Sequence, residues 1–277
     1  MHNIKIMCKL LSVCRSSYYK YLNKTESNRS IENRKFEDII LKIYHKSKKR
    51  YGAPKVHKVL IAKGLKISLK RVQRLMKKLS IKSIVVRKFK PYSSKNKVEE
   101  RENVLNRDFS TNTFNEKWVT DITYIYTLRT GWCYLASVLD LCTRKIIGYS
   151  FSKSMDTEMA IKAVDNAIKN QKPTDKVVLH SDLGSQYTSC NFKEFVDANN
   201  LLHSFSGKGN PYDNACIESF HASLKKEEVN LVTYYDFDAA RLAIFEYIES
   251  WYNRKRIHSS IGYLTPQEYE NELKKSA

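Results

Sequence analysis

Three acidic residues stand where acids are unusual. Asp121 falls inside a strand-like run, Trp118-Val-Thr-Asp-Ile-Thr-Tyr, although aspartate is disfavoured in strand interiors. In a central strand an unpaired carboxylate is costly to bury. A bound metal ion would compensate; on an edge strand the same side chain would simply face water. Asp182 ends a second strand-like run, Val177-Val-Leu-His-Ser-Asp, and precedes Leu183-Gly184. Ligand groups gather where strands stop and loops begin, and an aspartate before such a pair also makes an ordinary turn. Glu218 is expected on a helix after the loop Ser206-Gly-Lys-Gly-Asn-Pro, with Asn210 able to cap it and Pro211 able to open it. That places Glu218 about two turns inside the helix. A glutamate in a helix is by itself only a good helix former.

Taken together, the three acids suggest one chemistry. Hard divalent cations prefer carboxylate oxygen. A pair of such ions about 3.5–4 Å apart can clamp the attacking and leaving oxygens of a phosphoryl transfer. Asp121, Asp182 and Glu218 are therefore the candidate catalytic and metal-holding residues. Mg²⁺ is the expected ion, Mn²⁺ its substitute, and two ions the expected number. Between Asp182 and Glu218 lie 35 residues.

The elements that would position these acids read as an α/β domain. Lys117–Thr127 is β-branched and aromatic, Trp132–Cys142 is a second apolar run and Lys145–Ser152 a third. Arg129-Thr130-Gly131 and Cys142-Thr-Arg punctuate them, so three antiparallel strands with tight turns are predicted. A helix is expected at about 155–170, a strand at Val177–His180, a helix at about 189–199 and a strand at Leu201–Phe205. Two long helices, about 211–229 and 236–253, would close the domain. Strands followed by alternating helices and strands describe a mixed five-stranded sheet flanked by helices.

Ahead of this domain the chain reads as all-α. Phe36, Ile39, Ile40, Ile43 and Tyr44 share one helical face. Pro54 opens a second segment with Val56, Val59 and Leu60 on one side, and Gly64 can stop it. Ser68 caps a third, in which Val72, Leu75, Met76 and Leu79 are apolar. The rest of that helix carries Lys70, Arg71, Gln73, Arg74, Lys77 and Lys78. A short turn before a basic, glutamine-bearing helix matches a helix-turn-helix reader of DNA; a solvated lysine-rich face has the same composition. Residues 1–30 hold only a short helical segment. Ile81–Phe89 can form a short strand, and the polar stretch after it is a linker. The boundaries expected are 1–30, 31–90 for the helix-turn-helix domain, 91–113 for the linker and 114–277 for the catalytic core.

Charge points to the same class of partner. Lys and Arg number 49 against 29 Asp and Glu, for a net charge of +20. Such an excess attracts polyanions, because neutralised phosphates release condensed counterions. Cys8, Cys14, Cys133, Cys142, Cys190 and Cys216 form no C-x-x-C pair and no zinc pattern, which fits reduced thiols in a cytoplasm. No apolar run approaches the ~20 residues of a membrane span, and the N-terminus is a poor signal peptide.

The wording of the motifs is similar to that of a known family. The Asp, Asp, Glu spacing resembles the catalytic core of transposases and retroviral integrases. The second-frame (OrfB) products of bacterial insertion sequences are closer still. The stretches that carry this are Tyr51-Gly-Ala-Pro-Lys-Val, Trp118-Val-Thr-Asp-Ile-Thr-Tyr, Leu139-Asp-Leu-Cys-Thr-Arg-Lys-Ile-Ile-Gly and His180-Ser-Asp-Leu-Gly-Ser-Gln-Tyr. Gly207-Lys-Gly-Asn-Pro-Tyr-Asp-Asn-Ala-Cys-Ile-Glu-Ser-Phe and Tyr252-Asn-Arg-Lys-Arg-Ile-His-Ser-Ser-Ile-Gly-Tyr-Leu-Thr-Pro complete the set. The resemblance implies a ribonuclease-H-like fold and metal-dependent cleavage of element ends followed by strand transfer. It implies terminal repeats and target DNA as partners, and a DNA contact for Lys225, two turns beyond Glu218. Pairing two ends implies at least a dimer on DNA, in the bacterial cytoplasm at the nucleoid and away from membranes. Asp140 and Asp213 read as structural, and His180 and His258 as supporting. Arg254-Lys-Arg-Ile-His would favour phosphate or form a solvated run. The family's leucine zipper is missing from residues 1–30, so a first-frame (OrfA) partner is expected. Two rival functions are a non-catalytic regulator of its own element and a nuclease that only hydrolyses.

Overall fold

The computed structural model describes residues 3–23, 26–84, 105, 110–111, 113–206 and 214–276. The chain divides into two compact units, Met1–Ile84 and Val85–Ala277.

The first unit is helical: α1 (Ile4–Leu10), α2 (Arg15–Leu22), α3 (Asn28–Lys46), α4 (Ala53–Ala62) and α5 (Leu69–Lys78). Its three-helix core follows the apolar periodicity. Phe36, Ile40, Ile43 and Tyr44 of α3 are buried, with Val56 and Leu60 of α4 and Val72, Leu75 and Met76 of α5. Pro54 sits in the first turn of α4. Gly64 ends that helix at φ +77, a conformation that favours glycine. The Ser68 hydroxyl accepts the Arg71 N–H at 3.3 Å and so starts α5. Residues 81–84 form no strand. The Tyr44 hydroxyl instead donates to Lys82 O at 2.7 Å, and the Ile84 N–H to Lys49 O at 3.2 Å. Residues 85–89 of the expected strand lie outside the described residues, as do Asp213 and most of the 91–113 linker.

The second unit is a mixed sheet. Its strands are β1 (Lys117–Thr127), β2 (Gly131–Asp140), β3 (Ile146–Ser152), β4 (Val177–Ser181) and β5 (Leu201–Phe205). They lie in the order β3-β2-β1-β4-β5. β1, β2 and β3 pair antiparallel, whereas β1–β4 and β4–β5 are parallel. The helices are α6 (Thr157–Gln171), α7 (Ser185–Thr188), α8 (Cys190–Ala198), α9 (Ala215–Glu227) and α10 (Phe237–Phe245). α10 runs on as a π-helix, Glu246–Tyr252, and α11 (Pro266–Ser276) closes the chain. Apolar periodicity alone predicts one regular helix through this π turn and does not resolve α11. The described α9 begins at Ala215, with Asn214 at its cap position; Asn210 and Pro211 are outside the described residues. This architecture is the expected ribonuclease-H-like mixed five-stranded sheet, with a helical helix-turn-helix-like region before it.

α6 covers one face of the sheet. Met159, Ala160, Ala163, Val164 and Ala167 pack on Trp118, Ala136, Val138 and Ile147. The alanines allow a close approach, and Gly148 of β3 completes it. A Cβ at Gly148 would lie 2.4 Å from Ala163 O and 2.5 Å from Ala167 N. Both are backbone atoms that cannot swing away. Gly148→Ala is expected to destabilise the unit by about 1–3 kcal/mol through overpacking, read as a lower urea midpoint at unchanged slope.

The outer border of β3 is covered by carboxamides. Asn166 Nδ2 donates to Tyr149 O at 3.0 Å and Asn170 Nδ2 to Ile147 O at 2.9 Å. Asn253 pairs with both backbone groups of Ile146, accepting its N–H at 3.0 Å and donating to its carbonyl at 2.9 Å. Among the described residues no helix is long and apolar enough to cross a membrane.

Candidate active site

Sheet register brings the first two acids together. β1 and β4 run parallel with Lys117 beside Val178 and Val119 beside His180. Two residues further along both chains come Asp121 and Asp182. Neighbouring strands lie roughly 4.8 Å apart, so the two carboxyl-bearing residues are adjacent at the end of that pairing. The third acid comes from α9, which packs against β1 and β2. Glu218 occupies its first turn, not the second turn expected from the sequence. There the N-terminal end of the helix dipole favours an anion.

These acids act on one another. The Asp182 carboxyl is raised above its ordinary range by burial and then by the charge of Asp121. Glu218 is raised by the same two causes in the same order, with His221 working the other way. Among the described residues, none of the three is paired with Arg or Lys. Also among the described residues, no three His, Cys, Asp or Glu side chains are close enough to hold an ion as they stand. Asp121 thus stands within electrostatic reach of both Asp182 and Glu218, and all three offer the hard oxygen donors that a divalent cation takes. Mg²⁺ needs only one or two carboxylates beside its waters, and the three acids offer more than that.

The surroundings fix two of the acids. His221, one turn beyond Glu218, places Nδ1 at 3.3 Å from Asp121 Oδ2. Its Nε2 lies 3.3 Å from Ser137 Oγ, and Ser137 is the residue opposite Asp121 on β2. Sequence reasoning missed His221, although its i+3 spacing from Glu218 puts both on one helical face. Asp182 accepts the Gly184 N–H at 3.0 Å. A Cβ at Gly184 would lie 2.9 Å from Asp182 Oδ1, so Gly184→Ala would swing that carboxylate aside. The expected result is a higher divalent-ion requirement for activity with an unchanged unfolding midpoint. Behind the acids, the buried Tyr187 hydroxyl meets Thr120 Oγ1 at 3.1 Å. Burial and the charges of Asp121 and Asp182 hold it well above the usual phenol range, and hence neutral.

Lys225 follows on α9. Its Nζ lies 4.2 Å from the centroid of the Tyr124 ring. Burial lowers its pKa and Asp121 works against that lowering, so the ammonium stands within the field of the acids.

Within the C-terminal motif Arg254 and Lys255 are exposed, as expected, whereas Arg256 has a different role from the two that its charge suggests. Arg256 is neither a phosphate site nor a solvated residue. Its Nε donates to Glu227 Oε1 at 3.0 Å, and its Nη2 to Ser223 Oγ at 3.1 Å. Glu227, at the end of α9, also accepts the Tyr247 hydroxyl at 3.1 Å and the Trp251 indole at 3.0 Å. Burial opposes the charge on Arg256. Glu227, Tyr247 and Tyr252 more than offset it and push its pKa above the arginine norm. His258 Nε2 lies 2.9 Å from Arg256 Nη1. The π turn, in which the Asn253 N–H reaches back to Ile248 O at 3.0 Å, sits among these donors. Arg256 therefore anchors the helix that carries Glu218.

Asp140 and His180 are structural and supporting, as expected. Asp140 is buried and accepts Thr143 N–H at 2.8 Å and Thr143 Oγ1–H at 2.7 Å; it makes a turn. His180 is buried between Ser204 Oγ at 2.9 Å and Ser206 Oγ at 3.1 Å. In the helical unit, Lys70, Gln73, Arg74 and Lys77 are exposed along α5. Arg71 instead turns back to α3, donating to Glu32 Oε2 at 2.7 Å and Asn33 Oδ1 at 2.8 Å.

Known proteins resemble this chain along its length. The integrase core domain family matches residues 112–211, a second integrase core description matches 199–266, and an HTH-like domain matches 30–89. The transposase InsF for insertion sequence IS3A of Escherichia coli (strain K12) is 37% identical over 272 residues, covering 97% of this chain and 94% of that protein. An uncharacterized 31 kDa protein of insertion element IS600 from Shigella sonnei is 33% identical over 273 residues, covering 98% of this chain and 100% of that one. The HTLV-2 integrase catalytic core domain in complex with magnesium (trimeric form) superposes with TM-score 0.45 and 17% identity, covering 58% of this chain and 99% of that chain.

Proposed function

Since this chain belongs to the IS3 family of insertion-sequence transposases and carries their integrase core, we propose that it cuts DNA at the ends of its element and joins the freed strands to target DNA. The observation that carries the reading is the electrostatic coupling of Asp121 to both Asp182 and Glu218. Three separate elements deliver three acids, none of them neutralised by Arg or Lys among the described residues, and Asp121 raises the pKa of both others. Carboxyl groups shifted in this way by burial and a like charge are common at active sites.

Asp121, Asp182 and Glu218 would hold Mg²⁺ or Mn²⁺, two ions being the number that suits the reaction. When bound, the ions would lower the pKa of the attacking water and stabilise charge on the pentacovalent phosphorus. The chain's own groups do the rest. His221 orients Asp121 from behind. The neutral Tyr187 closes the floor of the site. Lys225 supplies a positive charge for a phosphate of the bound strand. Attack by water on one phosphodiester releases a 3′-OH and leaves a 5′-phosphate. Attack by that 3′-OH on a second phosphodiester makes one bond as it breaks another, so no nucleotide cofactor is needed. In the helical unit, Lys70, Gln73, Arg74 and Lys77 would face DNA, while Arg71 braces α5 against α3. The partners in this reading are terminal repeats, target DNA, a second copy of the chain and a first-frame product. The setting is the bacterial cytoplasm.

Purified protein, labelled element ends and Mg²⁺ test the reading in one assay. Cutting followed by joining is the expected outcome. Binding alone would identify a regulator, and cutting alone a nuclease.

A measurement without turnover tests the metal site. The fold raises the pKa of Asp182. The stability tied to its proton is present below the ordinary carboxylate pKa and lost as pH rises through the folded value. In metal-free buffer near neutral pH, Asp182→Asn should therefore melt above the natural protein, by about 2–4 °C per kcal/mol of repulsion relieved. Added Mg²⁺ should raise the melting temperature of the natural protein and leave the variant nearly unmoved. An equal response of both would remove Asp182 from the site.

A further inference from the structure

The outer half of the β1–β2 hairpin carries an aromatic cluster that no step of the reaction uses. β4 pairs with β1 only as far as Val119. Between that point and Thr127, β2 is the strand partner of β1, and Tyr124, Tyr126 and Trp132 emerge together. They are 57%, 50% and 53% exposed. Trp132 stands opposite Tyr126 in the ladder. Its ring lies 5.2 Å from that of Tyr126 and 5.3 Å from that of Tyr124, edge to face. Large aromatic side chains grouped in water mark a surface that is covered in use.

The backbone that carries the cluster is anchored. Thr127 forms a bridge with Tyr234. The Leu128 N–H donates to Tyr234 O at 3.0 Å and the Arg129 N–H to Tyr235 O at 2.8 Å. The hairpin tip is therefore fastened to the body of the unit.

The cluster is also continuous with the acids. Tyr124 is three residues from Asp121, so the two leave β1 on opposite faces, and the link between them runs past the edge that β4 leaves open. Lys225 joins the two, with Nζ 4.2 Å from the Tyr124 ring centroid and its charge within reach of Asp121. An apolar protein surface seated on the rings would have to bury that ammonium. A strand of DNA suits both features, with flat bases for the rings and an anionic phosphate for the lysine.

We infer that Tyr124, Tyr126 and Trp132 form a stacking platform for unpaired bases of the DNA strand held at the acids, with Lys225 taking the phosphate between. This rests on the reading of Asp121, Asp182 and Glu218 as a DNA-cutting centre. Aromatic stacking of bases tolerates any sequence, because every base has a π-face. The platform thus grips a frayed end without reading it, and leaves recognition of the repeats to the helical unit.

Fluorescence tests the inference in the full chain. Trp118 is 0% and Trp251 6% exposed, so quenching by added DNA reports on Trp132. With EDTA present, to prevent turnover, single-stranded oligodeoxythymidine should quench the emission. Trp132→Ala and Tyr126→Ala should each weaken binding of that oligonucleotide, read by anisotropy, roughly five- to hundred-fold. Affinity for a fully paired element end should stay nearly unchanged. Trp132→Phe keeps a ring and should keep most of the affinity, which separates stacking from misfolding. Unchanged single-strand affinity in the double alanine variant would overturn the inference. So would Trp132 emission that varies with protein concentration in the absence of DNA, since the cluster would then be a surface for a second copy. Cutting is assayed separately. A chain that cuts but does not stack defeats this inference alone. A chain that stacks but does not cut defeats only the catalytic reading.

Discussion

Asp121→Asn, Asp182→Asn and Glu218→Gln are each expected to lower both cleavage and joining by at least about 10³-fold. Metal ions supply several kcal/mol of transition-state stabilisation in reactions of this kind, and each 1.36 kcal/mol is tenfold in rate. The amides keep the shape of the acids and remove one negative charge. In Asp121→Asn the new carboxamide would still meet His221, so the strand and helix around it should hold their places. Affinity for element ends should survive in all three variants, because the basic face of α5 lies in the other unit. The decisive measurement is end cleavage at saturating Mg²⁺ beside end binding in the same preparation. Turnover within tenfold of the natural protein in any one variant would remove that residue from the catalytic set.

Arg256→Ala should give the largest loss of stability. It strips the guanidinium from Glu227 and leaves that carboxylate buried with Tyr247 and Trp251. Breaking a buried ion pair from one side costs about 3–5 kcal/mol. The unfolding midpoint in urea should fall accordingly. Replacing both partners by apolar residues of similar volume often costs little, so Glu227→Leu combined with Arg256→Met should recover much of the loss. A single variant that melts like the natural protein would mean the pair is not a strut. Because Glu227 closes the helix that Glu218 opens, partial loss should also appear as weakened cutting at temperatures where the protein remains folded.

Short-range pattern made much of this legible. β5 runs from Leu201 to Phe205, as its apolar run predicted, and the turn before Gly131 lies where the glycine placed it. Gly64 and Ser68 marked the ends of α4 and α5 because their conformational and capping roles are local. What stayed hidden depends on partners remote in sequence. Arg71 reads as one more base in a basic helix until Glu32 and Asn33, on α3, take its guanidinium. Arg256 reads as part of a charge run until the fold brings Glu227 across a gap of 29 residues. The π turn changes hydrogen bonding without changing apolar periodicity enough to show. His221 was within reach of reasoning, since a histidine on the same helical face as an acid shares its neighbours. The acids themselves were visible by type and spacing. Their nearness rests on the parallel register of β1 and β4, which no count along the chain supplies.

The asparagines along β3 have a bearing on how copies of this protein tolerate one another. A bare outermost strand is a template on which another polypeptide can add its own backbone. Asn166, Asn170 and Asn253 occupy the outward groups of Tyr149, Ile147 and Ile146. In the proposed reaction, copies brought to one DNA at high local concentration would thereby be kept from adding strand to strand along β3.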